Sequence, residues 1–132
     1  MDIEQREREG VIILDLKGRI TMGDEAKLFR ETIHTLAGAG VPKLILNMKE
    51  IDYIDSTGLG AIVVCSTAVR KANGAAKLLN LSRRTVELLV MTKLATIFEI
   101  FEDEADAVNS FFPGREIKKF DILNFVKAQS KT

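Results

Sequence analysis

The chain has 132 residues, of which 46% are hydrophobic and 29% are charged, and its 19 basic residues balance 19 acidic ones. This length suits one globular domain, and the apolar content is too high for a disordered chain. Without a basic excess, neither nucleic acid nor an anionic membrane is expected as the main partner. The longest uncharged stretch, residues 56–69, is shorter than the roughly 20 residues of a membrane-spanning helix.

Hydrophobic periodicity predicts strands and helices that alternate along most of the chain. In chain order these are a strand at 11–17 closed by Gly18, a helix at 24–39, a strand at 43–48, a helix at 56–73, a strand at 76–81, a short helix that Ser82 caps, a strand at 95–101 and a helix that Asp103 caps and that runs to 111. The mixed-charge residues before Gly10 are compatible with one further strand. A loop is expected from 49 to 55.

This order predicts an α/β fold with a mixed, mostly parallel β-sheet and one antiparallel edge. Thr21 or Asp24 can cap the first long helix. A Pro-Gly pair at 113–114 ends the last helix, so we assign residues 1–112 to one domain. Residues 113–132 form a net basic C-terminal extension, which is expected to be either a docked or frayed terminal helix or a partner-binding tail.

The most distinctive segment lies at 51–60, between a predicted buried strand and a helix. Such loops, at the carboxyl ends of parallel strands, are where α/β folds place their sites. Ser56 lies where the helix begins, so its hydroxyl can cap a free backbone N–H. Gly58 and Gly60 allow another surface to approach the first turn closely. On these observations alone, Ser56 is interpreted as a helix cap.

The same position also suits a phosphorylated hydroxyl. A phosphoryl group adds a charge of about −1.5 to −2, which the positive end of a helix tolerates. Asp52 and Asp55 lie close to Ser56 in the sequence. Three negative groups on one small surface would repel an acidic partner without any change in the shape of the domain. The residues alone leave both interpretations of Ser56 open.

From residue 11 to residue 111 the chain resembles a STAS domain of the bacterial anti-sigma factor antagonist type. The segments that carry the resemblance are Gly18 after the early strand, Leu-Ile-Leu-Asn-Met at 44–48, Tyr-Ile-Asp-Ser-Thr-Gly-Leu-Gly at 53–60, Lys-Leu-Leu-Asn-Leu at 77–81 and Glu-Ala at 104–105. The Asp-Ser-Thr-Gly-Leu-Gly string is the specific part. The resemblance implies a STAS-type α/β fold with about four helices, here followed by an extra C-terminal segment.

The resemblance implies a phosphorylation switch with no catalytic residues, no cofactor and no metal. In such families the unphosphorylated antagonist binds an anti-sigma factor, commonly a serine kinase with a histidine-kinase-like ATPase fold, and so frees the sigma factor. The kinase phosphorylates the motif serine, which aligns with Ser56, and a metal-dependent serine phosphatase reverses this. Thr57 is the nearest competing hydroxyl. The protein is expected in the cytoplasm, and its single cysteine fits a reducing compartment. A monomer or a weak dimer is expected.

The resemblance also implies a partner-binding surface around the motif. Its residues are Thr21, Asp24, Asp52, Asp55, Ser56, Thr57, Gly58, Leu59 and Gly60. One departure from the family pattern lies after Gly18, where the chain has Arg19 and then Thr21, whereas many members have an acidic residue nearby. Asp24 can supply that charge.

Other classes fit less well. An aspartic protease is not expected, because its loop has one residue between Asp and Gly, whereas two residues intervene here. A serine hydrolase is not expected either, because the only histidine, His34, lies on a predicted helix and the sequence has no Gly-x-Ser-x-Gly elbow. Nucleotide hydrolysis is not expected, because the sequence has no Gly-x-x-x-x-Gly-Lys-Ser/Thr loop of the kind that binds phosphate. Cys65 and the methionines, Met91 among them, are interpreted as core. The open alternative is a STAS scaffold or assembly subunit, in a signalling complex or beside a transporter, whose Ser56 is never phosphorylated.

Overall fold

The computed structural model describes residues 2–21, 23–38, 40, 43–123 and 125, and the side chains of residues 24–26 lie outside its description. The elements are β1 (Asp2–Arg8), β2 (Val11–Ile20), α1 (Asp24–Gly38), β3 (Lys43–Ile54), α2 (Ser56–Lys71), β4 (Ala75–Leu79), α3 (Arg83–Met91), β5 (Ile100–Phe101) and α4 (Glu104–Asn109). The sheet has the order β1-β2-β3-β4-β5, with β1 antiparallel to β2 and the other pairs parallel. The predicted α/β fold, with its antiparallel edge, is confirmed.

The sheet carries apolar residues on both faces. Leu44 and Leu46 of β3 belong to a core with residues from α1, α2 and α3. Ile45 between them belongs to a second core with Ala107 and Val108 of α4. Successive side chains of a strand point to opposite faces, which explains why three consecutive residues of β3, Leu44 to Leu46, are all apolar and buried. The three longer helices therefore cover one face, and α4 covers the other.

The predicted loop at 49–55 is wrong, because β3 continues to Ile54. The pairing of β3 with β2 shifts twice, between Asp15 and Lys17 and again between Gly18 and Arg19. Each shift leaves an extra residue in β3, and such bulges break the alternation by which a strand is recognised. Gly18 lies inside β2, not at its end, and its φ of 108° is the conformation that glycine supplies at this irregularity.

The last strand is also shorter than predicted. Only Ile100 and Phe101 pair with β4, whereas residues 95–98 form turns. The backbone N–H groups of Leu94 and Ala95 both donate to the carbonyl oxygen of Leu89, at 2.8 and 3.2 Å. Because these groups close the end of α3, they are not available to a sheet, whatever the β-propensity of the segment.

Two predicted helix caps are confirmed. The Ser82 hydroxyl accepts a hydrogen bond from the Thr85 N–H at 3.1 Å at the start of α3. The Asp103 carboxylate accepts one from the Asp106 N–H at 3.2 Å at the start of α4. The helix α4 ends at Asn109, two residues before the predicted end.

The described part of the C-terminal extension lies along the β5 edge of the sheet. The Phe120 N–H donates to the carbonyl oxygen of Ile100 at 2.9 Å, and Lys119 Nζ lies 3.3 Å from a Glu99 carboxylate oxygen. Phe120 and Ile122 pack against the core that contains Leu44 and Leu46, here called the main core. These contacts favour the docked interpretation of the extension. Its remaining residues, 124 and 126–132, lie outside the described residues, and the division of the chain at residue 112 stays a prediction.

Replacement of Phe120 by alanine is expected to lower the free energy of unfolding by about 1–2 kcal/mol, less than the cost of a fully buried ring, because Phe120 is partly buried. Leu123→Ala is the matched control, since this side chain is 73% exposed and its loss should change stability by under about 0.5 kcal/mol. Urea denaturation measures both. Equal effects of the two changes would mean that the extension does not stabilise the domain.

Arg6 of β1 connects the first two strands to α4. Its guanidinium donates to Asp15 at 2.6 Å and also to Glu104, which Arg8 contacts at 2.8 Å. The hydrogen bond from Arg6 is the main cause that lowers the pKa of the Asp15 carboxyl, and the same is true of Glu104. Both carboxylates are therefore stabilised in the folded chain.

The ion pairs of Arg6 with Asp15 and Glu104 predict how the free energy of unfolding changes at low pH. A carboxyl whose pKa is lower in the folded chain stabilises it above the ordinary pKa, here 3.8 for Asp15 and 4.5 for Glu104, and that stability is lost as the pH falls further. In the Arg6→Met variant, the free energy of unfolding should fall less steeply below pH 4.5 than in the wild type. Above pH 6, the free energies of the two proteins should change in parallel with pH. Arg70→Met, at an exposed position on α2, should keep the wild-type slope. Urea midpoints measured from pH 2 to 7 test this.

Candidate functional site

The carboxyl ends of β2 and β3 lie side by side at one edge of the sheet. Ile20 pairs with Ile54, so the residues that follow them, Thr21 and Asp55, are neighbours in the structure. The Asp55 N–H donates to the carbonyl oxygen of Ile20 at 3.4 Å. The loop before α1 and the first turn of α2 therefore share one surface, at the edge where parallel sheets place their sites.

Asp55, not Ser56, caps α2. Its backbone is extended, with φ −100° and ψ −177°, and its carboxylate accepts a hydrogen bond from the Gly58 N–H at 2.8 Å. Its carbonyl oxygen accepts the first helical bond, from the Leu59 N–H at 2.9 Å. Ser56 is the first residue of the helix, and the interpretation of its hydroxyl as the cap is wrong. The hydroxyl is exposed and has no hydrogen-bond partner among the described residues.

Gly58 lets the first turn of α2 rest on the end of β2. A Cβ atom at this position would lie 1.9 Å from the carbonyl oxygen of Ile20 and 2.7 Å from its carbonyl carbon. The surface that approaches this glycine thus belongs to the same chain. Leu59 is only 2% exposed and packs in the main core, so it positions the helix, whereas Gly60 is exposed and a Cβ there meets nothing within 4 Å.

The other predicted site residues are distributed around Ser56. Thr57 is exposed in the same helical turn. Asp52 is exposed and is the extra residue of the second bulge in β3, since the residues on either side of it pair with consecutive residues of β2. Thr21 is partly buried after β2, and Asp24 begins α1, although its side chain lies outside the described part. The three described side chains, those of Thr57, Asp52 and Thr21, belong to the same edge of the sheet as Ser56.

A cleft of about 770 Å³ adjoins Ser56 and separates the start of α2 from α3. Tyr53 lines it beside Ser56, and Arg83, Arg84 and Met91 line it from α3. The interpretation of Met91 as core is wrong, because its side chain is 80% exposed. The buried face of α3 includes residues 86 and 89, and a residue two positions later points away from that face.

Arginine side chains surround the Tyr53 ring. The Arg84 guanidinium lies 5.3 Å from the ring centroid and that of Arg19 lies 5.5 Å from it. Arg83, which is largely exposed, pairs with the partly exposed Glu87 of its own helix at 3.5 Å. The cleft that Ser56 lines therefore contains the charged side chains of Arg83 and Arg84, together with the carboxylates of Asp55 and Glu87. No local signal in the sequence predicts this grouping, because the arginines and the tyrosine are far apart in the chain.

Other reactive groups are poorly placed for chemistry. Cys65 is buried, and burial raises the pKa of its thiol to about 12, so it stays protonated. His34 is exposed on α1. Within the described ranges, no three His, Cys, Asp or Glu side chains are grouped so that they could hold a metal ion. None of the helices in those ranges is both long enough and apolar enough to cross a membrane.

The family model of the STAS domain matches residues 2–107. The anti-sigma-B factor antagonist of Bacillus subtilis (strain 168) is 34% identical over 100 residues, which are 76% of this chain and 90% of that protein. The anti-sigma F factor antagonist of Paenibacillus polymyxa is 22% identical over 108 residues, which are 82% of this chain and 92% of that protein.

Two solved structures share the fold. An anti-sigma factor antagonist from Mycobacterium paratuberculosis has a TM-score of 0.73 and 18% identity, with 83% of this chain and 92% of that chain covered. The Bacillus cell fate determinant SpoIIAA, in its phosphorylated form, has a TM-score of 0.66 and 18% identity, with 83% of this chain and 99% of that chain covered.

Proposed function

Because the chain belongs to the STAS domain family, we propose that it is an anti-sigma factor antagonist, a binding protein and not an enzyme. The unmodified chain binds an anti-sigma factor, and the sigma factor held by that partner is released to direct transcription. One observation carries the proposal: Ser56 of the family motif is exposed at the first position of α2, while Asp55 takes over the capping of the helix. The proposed role belongs to the cytoplasm, where transcription takes place.

In the proposed cycle the anti-sigma factor is also a serine kinase with a histidine-kinase-like ATPase fold. The Ser56 oxygen attacks the γ-phosphorus of ATP and loses its proton, the bond to the leaving ADP breaks, and a phosphoserine results. A metal-dependent serine phosphatase uses water to release inorganic phosphate and restores the hydroxyl. Thr57 is the second hydroxyl of the same turn and a weaker candidate acceptor.

The proposed switch acts through charge on the docking surface. This surface comprises the exposed Ser56, Thr57 and Gly60 on α2 and the exposed Asp52 on β3, with Thr21 and Asp24 at its margin. A phosphoryl group adds about −1.5 to −2 charge, and burying it against a partner without compensation is costly. The cap made by Asp55 does not involve the Ser56 hydroxyl, so the fold is expected to keep its shape after modification.

A pull-down from a lysate of the source cell tests the proposal. Wild type, Ser56→Ala and Ser56→Asp serve as baits, and mass spectrometry identifies the bound proteins. The proposal predicts that a kinase of the ATPase type binds wild type and Ser56→Ala but not Ser56→Asp. If all three baits recover the same proteins, Ser56 is not a switch and the chain acts as a scaffold or assembly subunit.

A further inference from the structure

Two arginines share the cleft with Ser56. Arg83 and Arg84 begin α3, are exposed, and line the cleft from the side opposite the start of α2. Arg84 rests over the Tyr53 ring and has no carboxylate partner among the described residues. Arg83 has only Glu87, in an ion pair whose side chains are 68% and 42% exposed. Exposed pairs of this kind are weak, so both guanidinium groups can take a stronger anion.

A phosphoryl group is the anion that these side chains suit. Guanidinium is a planar fork that binds phosphate oxygens through two parallel hydrogen bonds. The Gly58 N–H at the start of α2 is already occupied by the Asp55 carboxylate, so the helix terminus does not offer this donor to a phosphoserine. Arg83 and Arg84 are charged donors in the same cleft as the Ser56 hydroxyl.

We propose that Arg83 and Arg84 bind the phosphoryl group of phosphorylated Ser56 within the same chain, so that the modified side chain bridges α2 and α3. The proposal rests on the proposed function only in taking Ser56 as the acceptor. In the modified chain, the phosphoryl group occupies the cleft beside Tyr53. A partner then meets a surface that has changed on α3 as well as on α2.

The test installs phosphoserine at position 56 during synthesis of the protein, so that no kinase is needed, and follows its titration by phosphorus NMR. The second pKa of phosphoserine is ordinarily about 6. Asp55 and Glu87 also line the cleft and act to raise this pKa, whereas Arg83 and Arg84, and Arg19 at the Tyr53 ring, act to lower it. In the Arg83→Gln/Arg84→Gln variant, the pKa should be higher than in the wild-type background by roughly half a unit or more.

Arg70→Gln, at the exposed end of α2, is the control and should leave the phosphoserine pKa unchanged. Thermal unfolding verifies that each variant folds, which is expected because the replaced side chains are exposed. The same pKa in the wild-type and double-variant backgrounds would overturn the proposal. Because the phosphoserine is installed without a kinase, this result does not depend on the pull-down, so failure of the arginine site and failure of the antagonist role are distinguishable.

Discussion

Gly58→Ala is expected to lower the free energy of unfolding by about 3 kcal/mol or more. The added Cβ would lie 1.9 Å from the carbonyl oxygen of Ile20, a backbone atom that can move only if β2 or α2 moves. The shift would also displace Ser56, two residues away in the same turn, so binding to the anti-sigma factor should weaken along with stability. Urea denaturation measures the first effect, and titration of the partner measures the second.

Gly60→Ala is the matched control within the same helix. A Cβ at this position meets nothing within 4 Å, and alanine favours helices over glycine by about 0.5–1 kcal/mol. This substitution should therefore stabilise the domain slightly. If the two alanine substitutions had the same effect on the urea midpoint, α2 would not pack against the end of β2 as closely as described.

Ser56→Asp is expected to weaken binding to the anti-sigma factor by about 100-fold or more, since an uncompensated charge buried at an interface costs several kcal/mol. Ser56→Ala should stay within about threefold of the wild type, because the hydroxyl has no partner among the described residues and its removal leaves the Asp55 cap intact. Isothermal titration calorimetry with the purified partner gives both values.

Thr67→Asp controls for the added charge alone. Thr67 is exposed on α2, about three turns from Ser56, and lies outside the proposed docking surface. Its replacement should leave affinity nearly unchanged. Equal losses for the two aspartate variants would indicate a general effect of charge, and would remove the argument for a switch at Ser56.

Local and periodic signals identified most of the fold. Apolar runs located β2, the first half of β3 and β4, and the caps Ser82 and Asp103 were predicted because capping depends on residues within one turn. The Asp-Ser-Thr-Gly-Leu-Gly string located the candidate site and predicted that a helix begins at Ser56, and the structure adds that Asp55 caps this helix.

The features that sequence analysis missed depend on contacts between distant segments. Bulges in β3 arise from its pairing with β2, so the alternation of the strand is lost and residues 49–54 do not resemble a strand. Asp and Ser are both good caps, and the packing of Gly58 on Ile20 fixes where α2 begins. The grouping of Tyr53 with Arg84 needs β3 and α3 to be adjacent, which no local pattern predicts.

The most direct test of the switch compares the affinity of unmodified and Ser56-phosphorylated protein for the anti-sigma factor recovered in the pull-down. Calorimetry should find tight binding by the unmodified chain, a loss of about 100-fold or more after phosphorylation, and recovery after treatment with a serine phosphatase. Equal affinity of the two forms would contradict the account. The site at the start of α2 would then be a structural element of a STAS scaffold.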